Sequence, residues 1–335
     1  MNTIDLQTEN YINNKKILIA GGLGFIGSNL AHQCLKMGAD ITIYDCLDPH
    51  SGGNLYNVRE IKKDINICYM DILNFDQLAT HIPDKDIIIN CAASTSHPFS
   101  MREPWIDLDV NSRGVINILE AIRRFNPDVK MVHLGTSTQL GQLKYTPADE
   151  NHPEFPTDIY SANKSVSEKY VLIYANAYGL KTSVIRLSNV FGPRASIHSP
   201  EFTFNNFFIG LALQQKSITV FGEGNQKRNV IYIDDAVSAI LKAVASDQTD
   251  GQTFFTVGDD HFSVAEIATI TAEKLGGNVS FVKWPKERKA VEIGDAILSN
   301  QKAKSILKWA PMWSFRDGLI ETRNYFNDCL SHYLR

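Results

Sequence analysis

No stretch of this 335-residue sequence comes near the ~20 consecutive apolar residues that a membrane-spanning helix requires. The net charge is only −4, so neither nucleic acid nor an anionic membrane has a general electrostatic reason to bind. The five cysteines lack the paired spacing of a zinc site or a disulfide framework, and we expect free thiols in a reducing cytoplasm. We therefore predict a globular protein without a metal ion, a nucleic-acid partner or a membrane partner.

Residues 1–14 are polar and acidic. They have neither the basic start nor the apolar centre of a signal peptide. We expect them to form a flexible N-terminal arm ahead of the first predicted strand.

Short apolar runs alternate with amphipathic helical patterns through the first half of the chain. This rhythm is typical of an α/β fold, in which right-handed crossovers build a parallel sheet with helices on both faces. The apolar runs are continuous, as expected where both faces of a strand are buried. The predicted strands are residues 16–20, 40–44, 66–70, 86–90 and 130–134, and the longest helical patterns are residues 25–37 and 102–125.

Glycine and proline punctuate shorter elements after Leu187, which indicates a smaller, irregular α/β lobe. Residues 184–186 and 254–257 are predicted to return to the sheet. We therefore predict a doubly wound sheet domain over residues 15–187, completed by segments near residues 230–257. Residues 188–335 are predicted mainly to form the lobe.

Gly21, Gly24 and Gly27 lie between the first predicted strand and the helix that follows it. The first glycine permits a sharp turn, the second lets the backbone approach a pyrophosphate, and the third lets the helix pack on the sheet. The free N–H groups at the start of the helix favour that phosphate. Ordinary turn glycines would give the same pattern, so two interpretations stay open at this point.

Asp45 ends the second predicted strand, where a carboxylate can accept hydrogen bonds from the ribose hydroxyls of an adenosine. It would repel the 2′-phosphate of NADP, which favours NAD and a Rossmann-type sheet. Asp71 and Ile72 follow the third predicted strand, where they could flank the adenine, but Asp71 suits a helix cap equally well.

Tyr160 and Lys164 are four residues apart, so on a helix their side chains share one face. A phenol has a pKa near ~10 and is a poor base at neutral pH. A neighbouring ammonium would lower that pKa, and the pair would then exchange a proton with an alcohol. Because the same spacing arises by chance on many helices, the pair gains its meaning from the rest of the chain.

Together these residues resemble the extended short-chain dehydrogenase/reductase family, and within it the NAD-dependent nucleotide-sugar epimerases and dehydratases. The resemblance runs from about residue 15 to about residue 326. Its motifs, in chain order, are the glycine loop 21–27, Asn90-Cys91-Ala92-Ala93, Asn111, the Tyr160/Lys164 pair, the segment 189–194 and the arginine loop 222–230. The chain departs from the family at Asn90, Leu140 and Asn229, where histidine, tyrosine and aspartate are usual.

The resemblance implies NAD as the cofactor and a nucleotide-diphosphate sugar as the substrate. The implied cofactor-binding residues are Gly21, Gly24, Phe25, Ile26, Gly27, Asp45, Asp71, Ile72, Cys91, Ala92, Ala93, Asn111, Tyr160 and Lys164. The implied substrate-binding residues are Ser100, Thr136, Asn189, Arg228 and Arg288. Arginines would grip the diphosphate with bidentate donors, although for Arg288 an exposed basic cluster is the competing interpretation.

The resemblance also implies catalytic roles. Tyr160 would take the proton from a sugar hydroxyl, usually on C4, while C4 gives its hydride to NAD. Lys164 would bind the nicotinamide ribose and keep Tyr160 poised near neutrality. Thr136 would hold the substrate oxygen, with Ser137 as the alternative if the loop is shifted by one residue. His97 lies in the loop expected near the sugar, and we interpret it as an ordinary loop residue.

Positions 137 and 138 decide among the reactions of the family. The 4,6-dehydratases that this chain resembles carry an Asp-Glu pair there, and sugar-acid decarboxylases carry a glutamate at the second position. Here the residues are Ser137 and Thr138, and neither hydroxyl replaces a carboxylate as a general base. We therefore expect 4-epimerisation, with a UDP-sugar as the default substrate. The alternatives are a nucleotide-sugar reductase or dehydrogenase, a 2-epimerase and, from another class, a non-catalytic NAD-sensing protein.

Extended members of this family pair as homodimers through a four-helix bundle. The matching segments here are residues 102–125 and 158–177. Four apolar residues either form such a seam or, equally, face the sheet. They are Val166, Tyr170, Ile173 and Tyr174.

Overall fold

The computed structural model describes residues 3–286, 289 and 292–334. The strands, in chain order, are β1 (Lys16–Ala20), β2 (Asp40–Tyr44), β3 (Asn66–Cys68), β4 (Ile87–Asn90), β5 (Lys130–Thr136), β6 (Thr182–Leu187), β7 (Asn189–Phe191), β8 (Ser217–Phe221), β9 (Lys227–Tyr232), β10 (Thr253–Thr256), β11 (His261–Ser263) and β12 (Asn278–Val282). The α-helices are α1 (Leu6–Ile12), α2 (Phe25–Lys36), α3 (Phe75–Ala79), α4 (His97–Arg102), α5 (Pro104–Leu108), α6 (Gly114–Phe125), α7 (Ile159–Tyr178), α8 (Phe204–Leu213), α9 (Ile233–Val244), α10 (Val264–Leu275) and α11 (Phe315–Asn327).

Among the described residues, seven strands form one sheet in the order β10-β6-β5-β4-β1-β2-β3, and every neighbouring pair is parallel. The strand order reverses beside β1, where Leu18 lies between Thr42 of β2 and Ile88 of β4. Helices pack on both faces. This architecture confirms the predicted doubly wound, Rossmann-type sheet, and such sheets bind ligands at the carboxyl ends of the strands near the reversal.

The central strand β1 shows why these segments fold as buried strands. Ile17 and Ile19 face one hydrophobic core, Leu18 and Ala20 face another, and all four side chains are buried. Full burial of an isoleucine or leucine side chain contributes about 1.5–3 kcal/mol. The continuous apolar runs therefore become strands that are covered on both faces, as expected.

The segment predicted as one helix over residues 102–125 is instead interrupted twice. The helix α4 ends at Arg102, Pro104 starts α5, and a wider π-helical turn, Asp109–Arg113, leads into α6. The ring of Pro104 disfavours helical backbone at Glu103, which has φ −125° and ψ 65°. The proline therefore redirects the chain between α4 and α5.

The carboxyl-terminal part adds a smaller α/β lobe. The strands β7, β9 and β11 form a mixed sheet, β8 pairs with β12, and α8 and α10 pack on this pair. The strand β10 returns to the edge of the main sheet beside β6, so a late segment completes that sheet. One hydrophobic core runs from β1 into the lobe through residues such as Phe191, Ile218 and Trp309. Shared packing therefore fixes the lobe to the sheet.

The amino-terminal segment corrects the prediction of a flexible arm. Leu6–Ile12 forms α1, and the side chain of Asp5 caps it. Ile12 is fully buried and Ile4 nearly so, in the same core as β1. Asp5 also pairs with Lys242 of α9. Apolar side chains within a polar stretch anchor this segment.

All five cysteines carry free thiols. Within the described ranges, no helix has the length and apolar character needed to cross a membrane. The same ranges contain no cluster of three or more His, Cys, Asp or Glu side chains that could hold a metal ion.

Candidate active site

A cavity of about 890 Å³ lies at the carboxyl ends of the main-sheet strands, between the sheet and the lobe. This volume is within the usual range for small-molecule and cofactor sites. Most of the predicted site residues line it: Gly21, Gly24, Phe25, Ile26, Gly27, Asp45, Asp71, Ile72, Cys91, Ala92, Ala93, Thr136, Tyr160, Lys164, Asn189 and Arg228. The fold thus brings residues that are distant in the sequence to one site.

The glycine loop passes close to neighbouring backbone. Gly21 has φ +72°, and a Cβ there would lie 2.6 Å from Ala92 N. A Cβ on Gly27 would lie 2.3 Å from Gly21 O, whereas a Cβ on Gly24 would meet only Gly21 O, at 3.3 Å. Gly24 lines the cavity and precedes α2 without a side-chain cap, so the first N–H groups of that helix have no side-chain acceptor. The loop therefore fits the pyrophosphate of a dinucleotide.

Asp45 is held at the end of β2 by two backbone amides. Leu23 N donates to its Oδ2 at 2.9 Å, and Leu47 N donates to its Oδ1 at 2.8 Å. Burial raises the pKa of the Asp45 carboxyl, and these two hydrogen bonds oppose the rise. Each carboxylate oxygen keeps a further lone pair for a ribose hydroxyl. Asp71 also lines the cavity, and its Oδ1 accepts from Leu73 N as the cap of a short turn.

Tyr160 and Lys164 lie on α7 with the predicted helical spacing. This helix begins because Asp158 accepts a hydrogen bond from Ser161 N at 2.8 Å. Tyr160 and Lys164 are only 9% and 3% exposed, yet both line the cavity. Thr136, the last residue of β5, makes a hydrogen bond with Tyr160. The structure therefore brings the three predicted catalytic residues together.

The protonation of the pair differs from the expectation that Lys164 would lower the pKa of Tyr160. Burial raises the pKa of the Tyr160 hydroxyl above its ordinary value, and the hydrogen bond with Thr136 only partly opposes this. Burial also lowers the pKa of Lys164 from 10.5 to about 8, against the charge of Glu168. Removal of water from this end of the cavity therefore drives both groups toward their neutral forms.

The buried imidazole of His133 on β5 lies beside Lys164. His133 Nδ1 lies 3.0 Å from Asn90 Nδ2, while Asn90 Oδ1 accepts from Ala92 N at 3.1 Å. Because the amide oxygen is already bound to Ala92, the amide nitrogen donates to Nδ1, and the proton of His133 is on Nε2. Nε2 lies 3.3 Å from Lys164 Nζ and 3.3 Å from Ser167 Oγ. Ser167 Oγ donates to Lys164 O at 3.0 Å and can accept the Nε2 proton, so these side chains support α7 beside Lys164.

Thr138 supplies a hydroxyl where the resemblance puts a carboxylate in dehydratases and decarboxylases. Its Oγ1 lies 3.1 Å from Thr136 Oγ1 and accepts from Ser161 Oγ at 3.0 Å. Thr138 N also donates to Thr136 Oγ1 at 3.3 Å. The hydroxyls of Thr138 and Ser161 orient that of Thr136, but none of the three ionises near neutral pH.

Two predicted contact residues lie behind the cavity wall. Ser100 is fully buried, and its Oγ donates to His97 O at 2.8 Å and accepts from Tyr160 N at 3.1 Å. Both bonds go to backbone, so Ser100 supports the start of α7, which corrects its prediction as a substrate contact. Asn111 is buried in the π-helical turn and donates to Ser94 O at 2.8 Å, which makes it a support of the wall.

The substrate end of the cavity is held by side chains that bind one another. Arg228 lines the cavity, but its Nη2 donates to Glu292 Oε1 at 2.6 Å, and its Nη1 donates to backbone carbonyls. A diphosphate must therefore compete with Glu292 for this arginine. Asn189 lines the cavity at the start of β7 and donates to Asn229 O at 2.9 Å. Arg288 lies outside the described residues.

The structure adds a pair that the sequence analysis missed. His97 lines the cavity at the start of α4, and its Nδ1 lies 2.7 Å from Asp158 Oδ2. Its imidazole packs edge-on against the ring of Tyr160, with centroids 4.7 Å apart. His97 and Asp158 are 61 residues apart, so no local pattern links them. The sequence offered two separate signals, the loop position of His97 near the expected sugar site and the position of Asp158 just before the helix that carries Tyr160, but nothing that joined them.

Comparison with known proteins identifies the family of this chain. The model of the NAD dependent epimerase/dehydratase family matches residues 17–258. A putative UDP-glucose 4-epimerase of Methanocaldococcus jannaschii is 30% identical over 315 residues, which span 93% of this chain and 98% of the relative.

Two solved structures are similar over nearly their whole length. The UDP-glucose 4-epimerase of Thermotoga maritima, determined with UDP-glucose, has a TM-score of 0.84 and 26% identity, with 94% of this chain and 99% of that chain covered. The dTDP-glucose 4,6-dehydratase of Bacillus anthracis, in complex with NAD, has a TM-score of 0.83 and 26% identity, with 95% and 98% covered. These similarities include two reactions and do not choose between them. They confirm the family resemblance and the cofactor predicted from the sequence: the chain belongs to the NAD-dependent epimerase/dehydratase family, and NAD is its cofactor.

Proposed function

We propose that this protein is a nucleotide-sugar 4-epimerase, an isomerase that inverts C4 of a UDP-sugar through a transient 4-keto sugar. The observation that carries the proposal is the meeting of Tyr160, Lys164 and Thr136 at one end of the cavity, with only hydroxyls at Ser137 and Thr138. This set suffices to remove and return the proton of an alcohol. It has no carboxylate at the two positions where dehydration or decarboxylation would use one.

When NAD is bound, it would accept the hydride from the sugar. The reduced cofactor would return the hydride after the sugar has turned. Tyr160 takes the proton of the C4 hydroxyl as the hydride leaves and returns it to the carbonyl oxygen afterwards. Thr136 holds that oxygen, since its hydroxyl both donates and accepts. Lys164 is still largely protonated at neutral pH with a pKa of about 8, so its charge stabilises the phenolate form of Tyr160, which accepts the proton and becomes a phenol.

Inversion also requires that the 4-keto sugar present its other face. The sugar would turn in the part of the cavity between Tyr160 and the lobe. Arg228 is placed to hold the diphosphate once Glu292 releases it, which would retain the intermediate while the sugar moves.

The test is to incubate the protein, without added NAD, with a panel of UDP-, GDP-, CDP- and dTDP-sugars and to follow the products by NMR. We expect a C4 isomer to form, most readily from a UDP-sugar. Tyr160→Phe should lower the rate by about 10³-fold or more while the protein still binds NAD, because only the proton-transfer hydroxyl is lost. Tyr178→Phe is the matched control, since Tyr178 is on the same helix and exposed.

Each other product would contradict the proposal in a recognisable way. Loss of water or carbon dioxide would show that the hydroxyls at positions 137 and 138 do not exclude elimination. Turnover only with stoichiometric NADH or NADPH would favour the reductase, and inversion at C2 the 2-epimerase. A protein that binds NAD but converts no sugar nucleotide of the panel would be an NAD sensor.

We further propose a homodimer formed through α5, α6 and α7. Trp105 on α5 is 77% exposed, and Val166 and Ile173 on α7 are 39% and 52% exposed. An apolar patch of this kind marks an interaction surface. Of the four residues of the predicted seam, Tyr170 and Tyr174 are instead partly buried, and they pack against the core that Leu18 and Ala20 face.

The oligomeric state can be measured by light scattering. Ile173→Glu should shift a dimer toward the monomer, because the interface would bury an unpaired charge. Phe281→Glu, an exposed position on β12 of the lobe, is the control and should leave the mass unchanged. A wild-type protein that is monomeric at micromolar concentration would contradict the proposal.

A further inference from the structure

The proton-transfer residues of the proposed mechanism lie together at one end of the cavity. The ring of Tyr160 also packs against the imidazole of His97, which the mechanism does not use. His97 is 36% exposed and lines the cavity, and its ring packs edge-on against Tyr160 with centroids 4.7 Å apart. A sugar bound against Tyr160 therefore passes close to His97.

The hydrogen bond to Asp158 fixes which nitrogen of His97 faces the cavity. Nδ1 lies 2.7 Å from Asp158 Oδ2, and a carboxylate accepts, so Nδ1 carries a proton. This leaves Nε2 as a lone-pair acceptor in the neutral ring and as a donor in the imidazolium. In the described part of the chain, Nε2 has no protein partner.

Asp158 is suited to this role because it stays ionised. Its side chain is only 9% exposed, and burial alone would raise its pKa. The hydrogen bond and charge of His97, together with Ser161 N, outweigh burial and lower the pKa of Asp158 below its ordinary value. Oδ1 caps α7 while Oδ2 holds the imidazole, so one carboxylate fixes both Tyr160 and His97.

We propose that His97, oriented by Asp158, is a second recognition group of the sugar site, and that its Nε2 accepts a hydrogen bond from a sugar hydroxyl beside the carbon that Tyr160 serves. The substrate class rests on the function proposed above. No proton leaves that hydroxyl, because the neutral imidazole only accepts from it while Tyr160 moves the proton at the reacting carbon.

Nitrogen NMR of the full chain with bound NAD tests the contact without turnover. With ¹⁵N-labelled histidine and His97→Gln to assign the signal, we expect a ring protonated at Nδ1. UDP-glucose or UDP-galactose should move the Nε2 resonance, whereas UDP alone should not. If no sugar nucleotide of the panel moves that resonance, the proposal is overturned.

Kinetics test whether the contact holds the sugar. We expect His97→Ala to lower kcat/KM by about tenfold, the value of one hydrogen bond, and mainly through KM. Asp158→Asn keeps a capping oxygen for α7 but loses the acceptor for His97, so it should lower kcat/KM with little change in melting temperature.

The two proposals fail separately. If Tyr160→Phe is inactive but His97→Ala keeps kcat/KM within threefold, the epimerase stands and the role of His97 is refuted. If the Nε2 resonance moves but no C4 isomer ever forms, His97 contacts the sugar and the 4-epimerase is refuted.

Discussion

The cofactor half and the substrate half of the cavity are built in different ways. In the cofactor half the backbone itself makes the site: Gly21 and Gly27 admit close contacts, and two amides hold Asp45. In the substrate half side chains from distant segments hold one another, as Arg228 holds Glu292. The first kind of site has its geometry before any ligand arrives, whereas the second must exchange an internal partner for the ligand.

This difference predicts different responses to substitution. A substitution in the cofactor half should act by changing the shape of the site. Its effect should be large where the backbone leaves no space for a side chain and small where it leaves space. A change in the substrate half should act through competition, so removal of one partner can strengthen binding. The following variants test this contrast, from the largest expected effect to the smallest.

The glycine loop should give the largest effect. Gly27→Ala places a Cβ 2.3 Å from backbone, so the loop must shift, and we expect a loss of about 1–3 kcal/mol in the free energy of unfolding together with loss of NAD binding. Gly24→Ala needs only a small adjustment, because its Cβ would lie 3.3 Å from Gly21 O and its φ of −74° is ordinary, so the protein should remain folded. Its methyl group would point into the pyrophosphate path and should weaken NAD by about 10–100-fold, which calorimetry would measure.

Gly294→Ala is the control for the strain of a positive φ alone, because Gly294 has φ +74° and open space around it. It should leave NAD affinity unchanged. Equal loss of stability in Gly24→Ala and Gly27→Ala would refute the idea that space decides the outcome.

Asp45 should give the next effect, on the choice of cofactor. The wild-type protein should bind NAD at least about 100-fold more tightly than NADP, because the 2′-phosphate would meet a buried carboxylate. Asp45→Ala should reduce this ratio by about tenfold or more. It should also destabilise the loop, since Leu23 N and Leu47 N lose their acceptor. An unchanged ratio would show that Asp45 does not face the ribose.

The Arg228–Glu292 pair should give a smaller effect with opposite signs for its two members. Arg228→Met should weaken UDP, measured by calorimetry, by about 10–30-fold, the value of a charged hydrogen bond. Glu292→Gln frees the guanidinium and should strengthen UDP a few-fold. Lys227→Met is the control, because Lys227 pairs with Glu266 on the lobe surface. If both variants weaken UDP, Glu292 is not a competitor.

Lys164 lies where the two halves meet, and it should give the smallest effect, on stability. Its pKa is lowered in the folded state to about 8 from 10.5, so between these values the unfolded chain binds more protons. The contribution of Lys164 to stability therefore rises as the pH increases from about 8 to 10.5 and is constant below 8. Lys164→Met removes this gain, so the melting temperature of the wild type should rise by a few degrees relative to the variant over that window. A constant difference would show that the ammonium is not desolvated.

The same contrast explains what could be predicted from the sequence. Strands β1 and β2 have the predicted bounds because continuous β-branched runs are a local signal, and the glycine loop is read from neighbouring residues. The pairing of His97 with Asp158 and the burial of Ser100 depend on how α4 packs against α7, which no window of sequence contains. The breaks in residues 102–125 had a signal in Pro104 that the helical periodicity concealed.

Tertiary burial also overturned a simple electrostatic argument. The spacing of Tyr160 and Lys164 was sufficient to place them on one helix face, but the effect of a neighbouring charge was expected to dominate. In the folded protein the loss of water dominates, and it raises the pKa of Tyr160. Solvent access is a property of the packed whole and cannot be read from a spacing of four.

Within the described residues, the chain passes between the main sheet and the lobe more than once, for example at Ser188, where β9 meets α9 at Tyr232, and after Thr256. A single linker would let the lobe rotate relative to the sheet, but several covalent connections restrict that rotation. Heating should therefore melt sheet and lobe in one calorimetric transition, and a chain cut after Leu187 should not fold. Sugar nucleotides must then reach the site by local loop movement while the two parts stay together.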